Sequence, residues 1–203
     1  MPRTIAIIVV ALLLSGCVSA VGFADPLPKA GLRPTPLRFG LYVTPERNPI
    51  QPPERFTGYH VGTDFEVTSE ELESEVPVFS ICSGVVLYGG FASGYGGLVV
   101  QRCESAGEPI IVIYGHLSLA NLPERWAELS VGEQIGTLAP ARSHDSDDNR
   151  KHLHLGIHRG ENIDERGYVQ TPEEISDFMD PLTVLPYRLA GTGGLMEPYW
   201  KTQ

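Results

Sequence analysis

Hydrophobic residues in this chain fall into short runs that glycine and proline separate. Residues 76–88 (VPVFSICSGVVLY) and 98–103 (LVVQRC) are rich in β-branched and aromatic side chains, as is typical of strands. Residues 109–114 (PIIVIY) form another apolar run, which ends at Gly115 and His116. The glycine-dense residues 89–97 between the first two runs predict a long hairpin loop. The middle of the chain is therefore predicted to form antiparallel strands.

Strict alternation of apolar and polar side chains marks one further strand, over residues 151–158. Successive side chains of a strand point to opposite faces, so one face of this strand is apolar and the other carries histidines. The apolar face has Leu153, Leu155 and Ile157. The opposite face has His152, His154, Gly156 and His158.

Helix signals are few. Thr171 to Glu174 has the N-cap residue, the proline at the first helical position and the glutamate of a capping box. Residues 122–129 (LPERWAEL) are long enough for two helical turns. The predicted fold class is therefore all-β, an antiparallel β-sandwich or barrel-like domain with minor helix.

The N-terminus has the features of an export signal. Residues 5–14 are ten consecutive apolar residues after a single cation, Arg3, and such a run spans only about half of a ~30 Å hydrocarbon core. The following Leu14-Ser15-Gly16-Cys17 resembles the bacterial lipobox, which implies cleavage before Cys17 and a diacylglycerol anchor on its thiol. The alternative is an ordinary secretory signal cleaved near Ala20, which would remove that cysteine. Both interpretations place the mature protein outside the cytoplasm, and the first attaches it to a bacterial membrane.

The chain is divided accordingly. We predict a lipoprotein signal peptide over residues 1–16, a lipidated cysteine and proline-rich tether over 17–36, one folded domain over 37–190 and a C-terminal tail over 191–203.

Composition narrows the function. The 203 residues are 42% hydrophobic, enough for an ordinary core, which excludes a fully disordered chain. The formal net charge of -10 argues against a nucleic-acid-binding protein with a broad basic surface. The three cysteines are an odd number, and lipidation of Cys17 leaves an even pair. Symmetric pairing about the predicted hairpin brings Cys82 near Cys103, which favours a disulfide over two buried free thiols in an exported protein.

The candidate chemistry lies in the histidines. His60 and Asp64 are four residues apart with a glycine between them, and His152 and His154 project from one face of a strand about 6.5–7 Å apart. Two imidazoles and a carboxylate can bind a catalytic zinc ion and leave one coordination position open. His116, at the end of another predicted strand, is a third histidine for the same groove.

These residues carry a family resemblance. The segments His60-Val61-Gly62-Thr63-Asp64, Tyr114-Gly115-His116-Leu117 and His152-Leu153-His154 resemble, in order and spacing, the motifs of the LytM/lysostaphin-type zinc metallopeptidases. The resemblance extends over residues 39–157. It implies that His60, Asp64 and His154 bind one zinc ion and that His116 and His152 are the catalytic pair, with their individual roles left open. It also implies peptidoglycan as the substrate, cleaved at peptide bonds of the stem or cross-bridge.

One segment departs from the family pattern. Members commonly have a glycine-rich loop shortly before the His-x-His strand, whereas residues 139–151 contain no glycine and carry Asp145, Asp147 and Asp148. This segment is either a solvated loop or an altered groove wall that binds a cationic or amidated stem peptide. His144 and His158 could help to line that groove, but solvent-facing positions are expected for both. The alternative function is a catalytically silent, cell-wall-binding or hydrolase-regulating lipoprotein with the same fold.

Overall fold

The structure is a computed structural model, which describes residues 22–186. Its regular structure is almost entirely β, which confirms the predicted class. The strands are β1 Tyr42–Val43, β2 Gly58–His60, β3 Gly62–Glu66, β4 Pro77–Phe79, β5 Gly84–Ala92, β6 Gly96–Ser105, β7 Glu108–Leu117, β8 Glu128–Leu129, β9 Gln134–Thr137, β10 His152–Arg159 and β11 Tyr168–Val169. The helical elements are 3₁₀ turns at Ala30–Leu32, Ser69–Glu71 and Glu174–Asp177, and a single-turn helix α1 at Pro181–Val184.

Three antiparallel sheets build the domain. The large sheet has six strands in the order β3-β10-β7-β6-β5-β8, and the smaller sheets are β1-β2-β11 and β4-β9. The chain passes from the three-stranded sheet to the large one at Val61, between β2 and β3. Residues on either side of this crossing therefore belong to different sheets but remain close in space.

The principal core lies on one face of the large sheet. Leu153, Leu155 and Ile157 of β10 are fully buried there, as the alternation predicts. Val78 of β4 and Ile135 of β9 join the same apolar cluster, so the two-stranded sheet covers this face. Apolar packing on this side fixes β10, and the histidines of that strand consequently face the other way.

The predicted disulfide is present, and the predicted hairpin is correct only in part. Cys82 and Cys103 are bonded, with Cα atoms 6.2 Å apart, which confirms the pairing. The predicted strand over residues 76–88 is two strands, β4 and β5, which belong to different sheets. The predicted glycine loop is mostly strand, because β5 continues to Ala92 and β6 begins at Gly96. Gly97 is a strand residue that must be glycine, because a Cβ atom there would lie 2.0 Å from the carbonyl oxygen of Leu117.

Neither of the two segments with helix signals forms an α-helix. Residues 122–129 form turns and the short strand β8, with Trp126 at a positive φ of 74° that ends any helix. The capping signal at Thr171 precedes a single 3₁₀ turn, in which Glu174 Oε2 accepts the backbone N–H groups of Gln170 and Thr171. Local capping chemistry is present, but up to residue 186, where the described part of the chain ends, no long helix follows it.

The predicted tether is too long at its C-terminal end. Leu27 and Ala30 are 1% exposed and belong to the principal core, and Arg33 forms a bidentate ion pair with Glu71. Residues 22–36 therefore pack on the domain. The signal sequence, Cys17 and the 191–203 tail lie outside the described residues and stay predictions. Among the described residues, no helix is long and apolar enough to cross a membrane.

Candidate active site

Four histidines and one aspartate meet on the face of the large sheet opposite the principal core. In the register of β10, His154 stands between Asp64 on β3 and Gly115 on β7. His60 ends β2, one residue before the crossing into β3, and thus reaches the same place from the neighbouring sheet. His116 follows Gly115 on β7. All five polar side chains that the sequence predicts are brought together and are buried.

Three donor atoms converge in the geometry of a metal site. His154 Nδ1 is 3.0 Å from Asp64 Oδ1 and 3.1 Å from His60 Nε2, and His60 Nε2 is 3.4 Å from Asp64 Oδ1. Donors about 2.0–2.1 Å from a tetrahedral zinc ion are roughly 3.3–3.4 Å apart. Two imidazole nitrogens and one carboxylate oxygen at these separations fit zinc, both in donor type and in spacing.

Asp64 is ionised, as a metal ligand must be. Burial opposes its charge, but His152, His60 and Arg150 outweigh burial and hold the pKa of Asp64 well below its usual value. The two carboxylate oxygens have different partners. Oδ1 faces His60 and His154, whereas Oδ2 lies 2.6 Å from Arg150 Nη2 and 3.2 Å from His152 Nε2.

His116 and His152 form a separate pair beside the donor set. Their ring centroids are 4.3 Å apart. The Nδ1 atom of His116 is 3.3 Å from the carbonyl oxygen of Ser146, and Nδ1 of His152 is 3.0 Å from that of Arg150. A carbonyl oxygen can only accept a hydrogen bond, so the Nδ1 atom of each histidine must be the donor and carry the hydrogen. The pKa of His116 lies well below its usual value, mainly because the side chain is buried and secondly because His152 is next to it. His116 is therefore neutral near pH 7.

A cavity of about 490 Å³ opens over these side chains. Tyr95 and Tyr168 flank the donor set, with ring centroids 5.3 Å from His154 and 5.1 Å from His60, respectively. Tyr95 Oη donates to the carbonyl oxygen of Glu165 at 2.7 Å and so ties residues 163–168 to the cavity as one wall. This space is within the usual range for a site that binds a small ligand or part of a chain.

The acidic loop before β10 is fixed by its own aspartates. Asp145 Oδ2 accepts the backbone N–H of Leu119 at 2.9 Å, and Asp147 Oδ2 accepts that of Gly94 at 2.8 Å. Asp147 also pairs with Arg55. Two of the three aspartates in this loop therefore join it to neighbouring segments, and Asp148 is exposed.

Two histidines lie outside the cluster. His144 is exposed and stacks on Phe91 at 4.7 Å, and His158 packs edge-on against Phe178 at 5.0 Å. Sequence reasoning missed two residues of the site, Glu54 and Arg150. Arg150 is two residues before His152 and Glu54 is six residues before His60, but neither belongs to a motif that would signal its role.

Comparison with known proteins assigns the fold and the family. No curated protein sequence matches the chain. Lysostaphin from Staphylococcus simulans, described as an antimicrobial peptidase, has 18% identity and a TM-score of 0.54, with 89% of this chain and 60% of that chain covered. The catalytic domain of lysostaphin has 20% identity and a TM-score of 0.50, with 74% and 90% covered. Helicobacter pylori Csd3 has 20% identity and a TM-score of 0.46, with 79% and 36% covered.

The two lysostaphin structures support the fold, and the sequence supports the family. This chain spans 36% of the length of Csd3 and 60% of full-length lysostaphin. The sequence profile of peptidase family M23 matches residues 58–165 of the 203. Because this region is more than half of the chain and contains all four histidines and the aspartate of the cluster, the chain belongs to peptidase family M23.

Proposed function

We propose that this protein is a zinc-dependent endopeptidase that hydrolyses peptide bonds in the stem or cross-bridge peptides of peptidoglycan. The observation that carries the proposal is the convergence of two imidazole nitrogens and one carboxylate oxygen, 3.0–3.4 Å apart, beside a second pair of histidines in one cavity. Lysostaphin, described as an antimicrobial peptidase, supports this choice of activity class within the M23 family.

His60, Asp64 and His154 would hold one zinc ion. When bound, zinc polarises a carbonyl and lowers the pKa of water toward about 7. These three side chains come from two sheets, with His60 on β2 of the three-stranded sheet and Asp64 and His154 on β3 and β10 of the large one. Their burial excludes competing solvent from the donor atoms.

The other two histidines have separate roles in the proposed reaction. His116 carries its hydrogen on Nδ1, so the bare Nε2 accepts a proton from the attacking water. The water oxygen bonds to the carbonyl carbon, the carbon–nitrogen bond breaks, and the amine nitrogen takes that proton from His116. His152 lies beside His116 in the same cavity, and its imidazole would stabilise the negative charge on the carbonyl oxygen as a hydrogen-bond donor.

The location is proposed from the sequence. Leu14-Ser15-Gly16-Cys17 supports export and lipid attachment at Cys17, which would hold the enzyme at a bacterial membrane near the wall. For an enzyme attached to the outside of a bacterial membrane, peptidoglycan is the most abundant polymer within reach.

The test is release of free amines from peptidoglycan by the full chain, purified in detergent, with and without a chelator. His152→Ala should keep bound zinc and lose at least 100-fold in rate, because it removes the hydrogen-bond donor to the carbonyl oxygen and no ligand. His144→Ala is the matched control, since His144 is exposed and lies outside the cluster, and it should keep full activity. Activity of His152→Ala equal to wild type contradicts the mechanism. A zinc-bound, inert wild-type protein instead supports a wall-binding or regulatory function.

A further inference from the structure

Arg150 is the only described side chain that contacts three carboxylates around the site. Its Nη2 atom is 2.6 Å from Asp64 Oδ2 and 2.8 Å from Glu66 Oε1, and its Nε is 3.0 Å from the same Glu66 oxygen. Its Nη1 atom is 2.5 Å from Glu54 Oε1. One planar guanidinium therefore joins a residue of the donor set to two carboxylates outside it.

These contacts are shielded from water. The side chains of Asp64, Glu54 and Arg150 are 2%, 6% and 14% exposed. A buried charge is tolerated when it is paired and hydrogen-bonded. The planar guanidinium of arginine donates hydrogen bonds to three carboxylates here, and the ammonium group of lysine cannot reproduce this geometry. The arrangement requires arginine at this position.

We propose that Arg150 is a positioning residue that orients Asp64 so that Oδ1 alone faces His60 and His154. The inference rests on the proposed zinc centre and deepens it. The two oxygens of a carboxylate are chemically equivalent, and rotation about the Cβ–Cγ bond exchanges them. Arg150 removes this equivalence by holding Oδ2 at 2.6 Å, so the carboxylate presents one oxygen to the metal.

The same guanidinium keeps Glu54 out of the donor set. The carboxylates of Glu54 and Asp64 and a ring nitrogen of His152 lie within 4.8 Å of one another, which by itself is a second possible set of cation ligands. The Arg150 cation already pairs with both carboxylates, so its charge replaces the metal there. Arg150 thus restricts the metal to His60, Asp64 and His154.

The test is the zinc affinity of the full chain, measured by competition with a chromophoric chelator in the absence of peptidoglycan. Arg150→Lys keeps the positive charge but loses the planar guanidinium. It should lower zinc affinity about 10–100-fold, as is usual when a metal ligand loses its hydrogen-bond partner. Glu66→Gln loosens Arg150 without touching Asp64, so it should give a smaller loss in the same direction. Arg142→Lys is the matched control, because Arg142 is an exposed arginine of the same loop, and its zinc affinity should equal that of wild type.

Unfolding temperature in excess chelator separates positioning from a general effect on folding. A purely structural Arg150 would lower this temperature and leave zinc affinity unchanged in the protein that remains folded, and that result overturns the proposal. Equal zinc affinity of Arg150→Lys and wild type also overturns it. A wild-type protein that binds zinc but cleaves nothing, with Arg150→Lys binding more weakly, supports Arg150 as a positioning residue and contradicts the proposed function. A wild-type protein that binds no zinc overturns both.

Discussion

Gly62→Ala should damage the donor set through a single methyl group. A Cβ atom at Gly62 would lie 2.5 Å from Cε1 and 2.6 Å from Nε2 of His154, and 2.7 Å from the backbone oxygen of Leu155. Ordinary carbon–carbon contacts are about 3.5–4.0 Å, so the imidazole must move by about 1 Å. The backbone oxygen belongs to a paired strand and cannot move away as a side-chain end can.

The expected loss follows from this displacement. His154 Nδ1 is 3.0 Å from Asp64 Oδ1, and a shift of about 1 Å takes it out of the donor geometry. We expect zinc affinity to fall at least 10-fold and the rate of peptide hydrolysis about 100-fold, since misplacement on this scale has such effects. Overpacking should also lower the free energy of unfolding by about 1–3 kcal/mol.

Gly156→Ala is the matched control. Gly156 pairs directly with Gly62 across β3 and β10, and its Cβ position also faces His154. The nearest atoms to that position are 3.5 Å away, an ordinary contact, so this variant should keep wild-type zinc affinity. Chelator competition and urea unfolding measure both effects. Wild-type zinc affinity in Gly62→Ala would refute the steric argument.

Two further changes test the packing and electrostatics of the domain. Tyr114→Phe removes a buried hydroxyl that accepts from Ile81 N at 2.9 Å and donates to Gln101 Oε1 at 3.0 Å, so the free energy of unfolding should fall by about 1–3 kcal/mol. Glu71→Gln tests the ion pair with Arg33, whose hydrogen bonds lower the pKa of Glu71 to about 2 from an ordinary value of 4.5. The pair stabilises the folded state fully above pH 4.5 and is lost as pH falls toward 2, so the variant should be about 1 kcal/mol less stable at pH 7 and equal to wild type near pH 2.

Urea unfolding measures both changes. Tyr88→Phe is the control for the tyrosine, because Tyr88 is exposed and its hydroxyl donates only to a carbonyl that water can also reach, so its stability should stay within about 0.5 kcal/mol of wild type. Equal losses in the two tyrosine variants would contradict the role of burial. A stability difference for Glu71→Gln that is independent of pH would contradict the role of its charge.

Prediction from the sequence succeeded where a local pattern carries the information. The alternation of β10 alone separates the core side chains from His152 and His154, and the structure buries both sets on opposite faces. It failed where glycine density was taken as loop, because the backbone spacing between strands, as at Gly97, requires glycine inside a strand. It failed again at Leu27, which was predicted to lie in the tether but is buried in the core. A proline-rich composition does not show which of its apolar side chains will be buried.

The sequence by itself determined the all-β class, the disulfide partners and the five polar side chains of the site. Each of these follows from residue type and spacing within a strand or a motif. Only the tertiary structure decided how the donors are oriented, because His60 and Asp64 lie on different sheets and Arg150 reaches Glu54 across 96 positions of sequence. Such a contact depends on how the sheets pack together, and no local pattern encodes it.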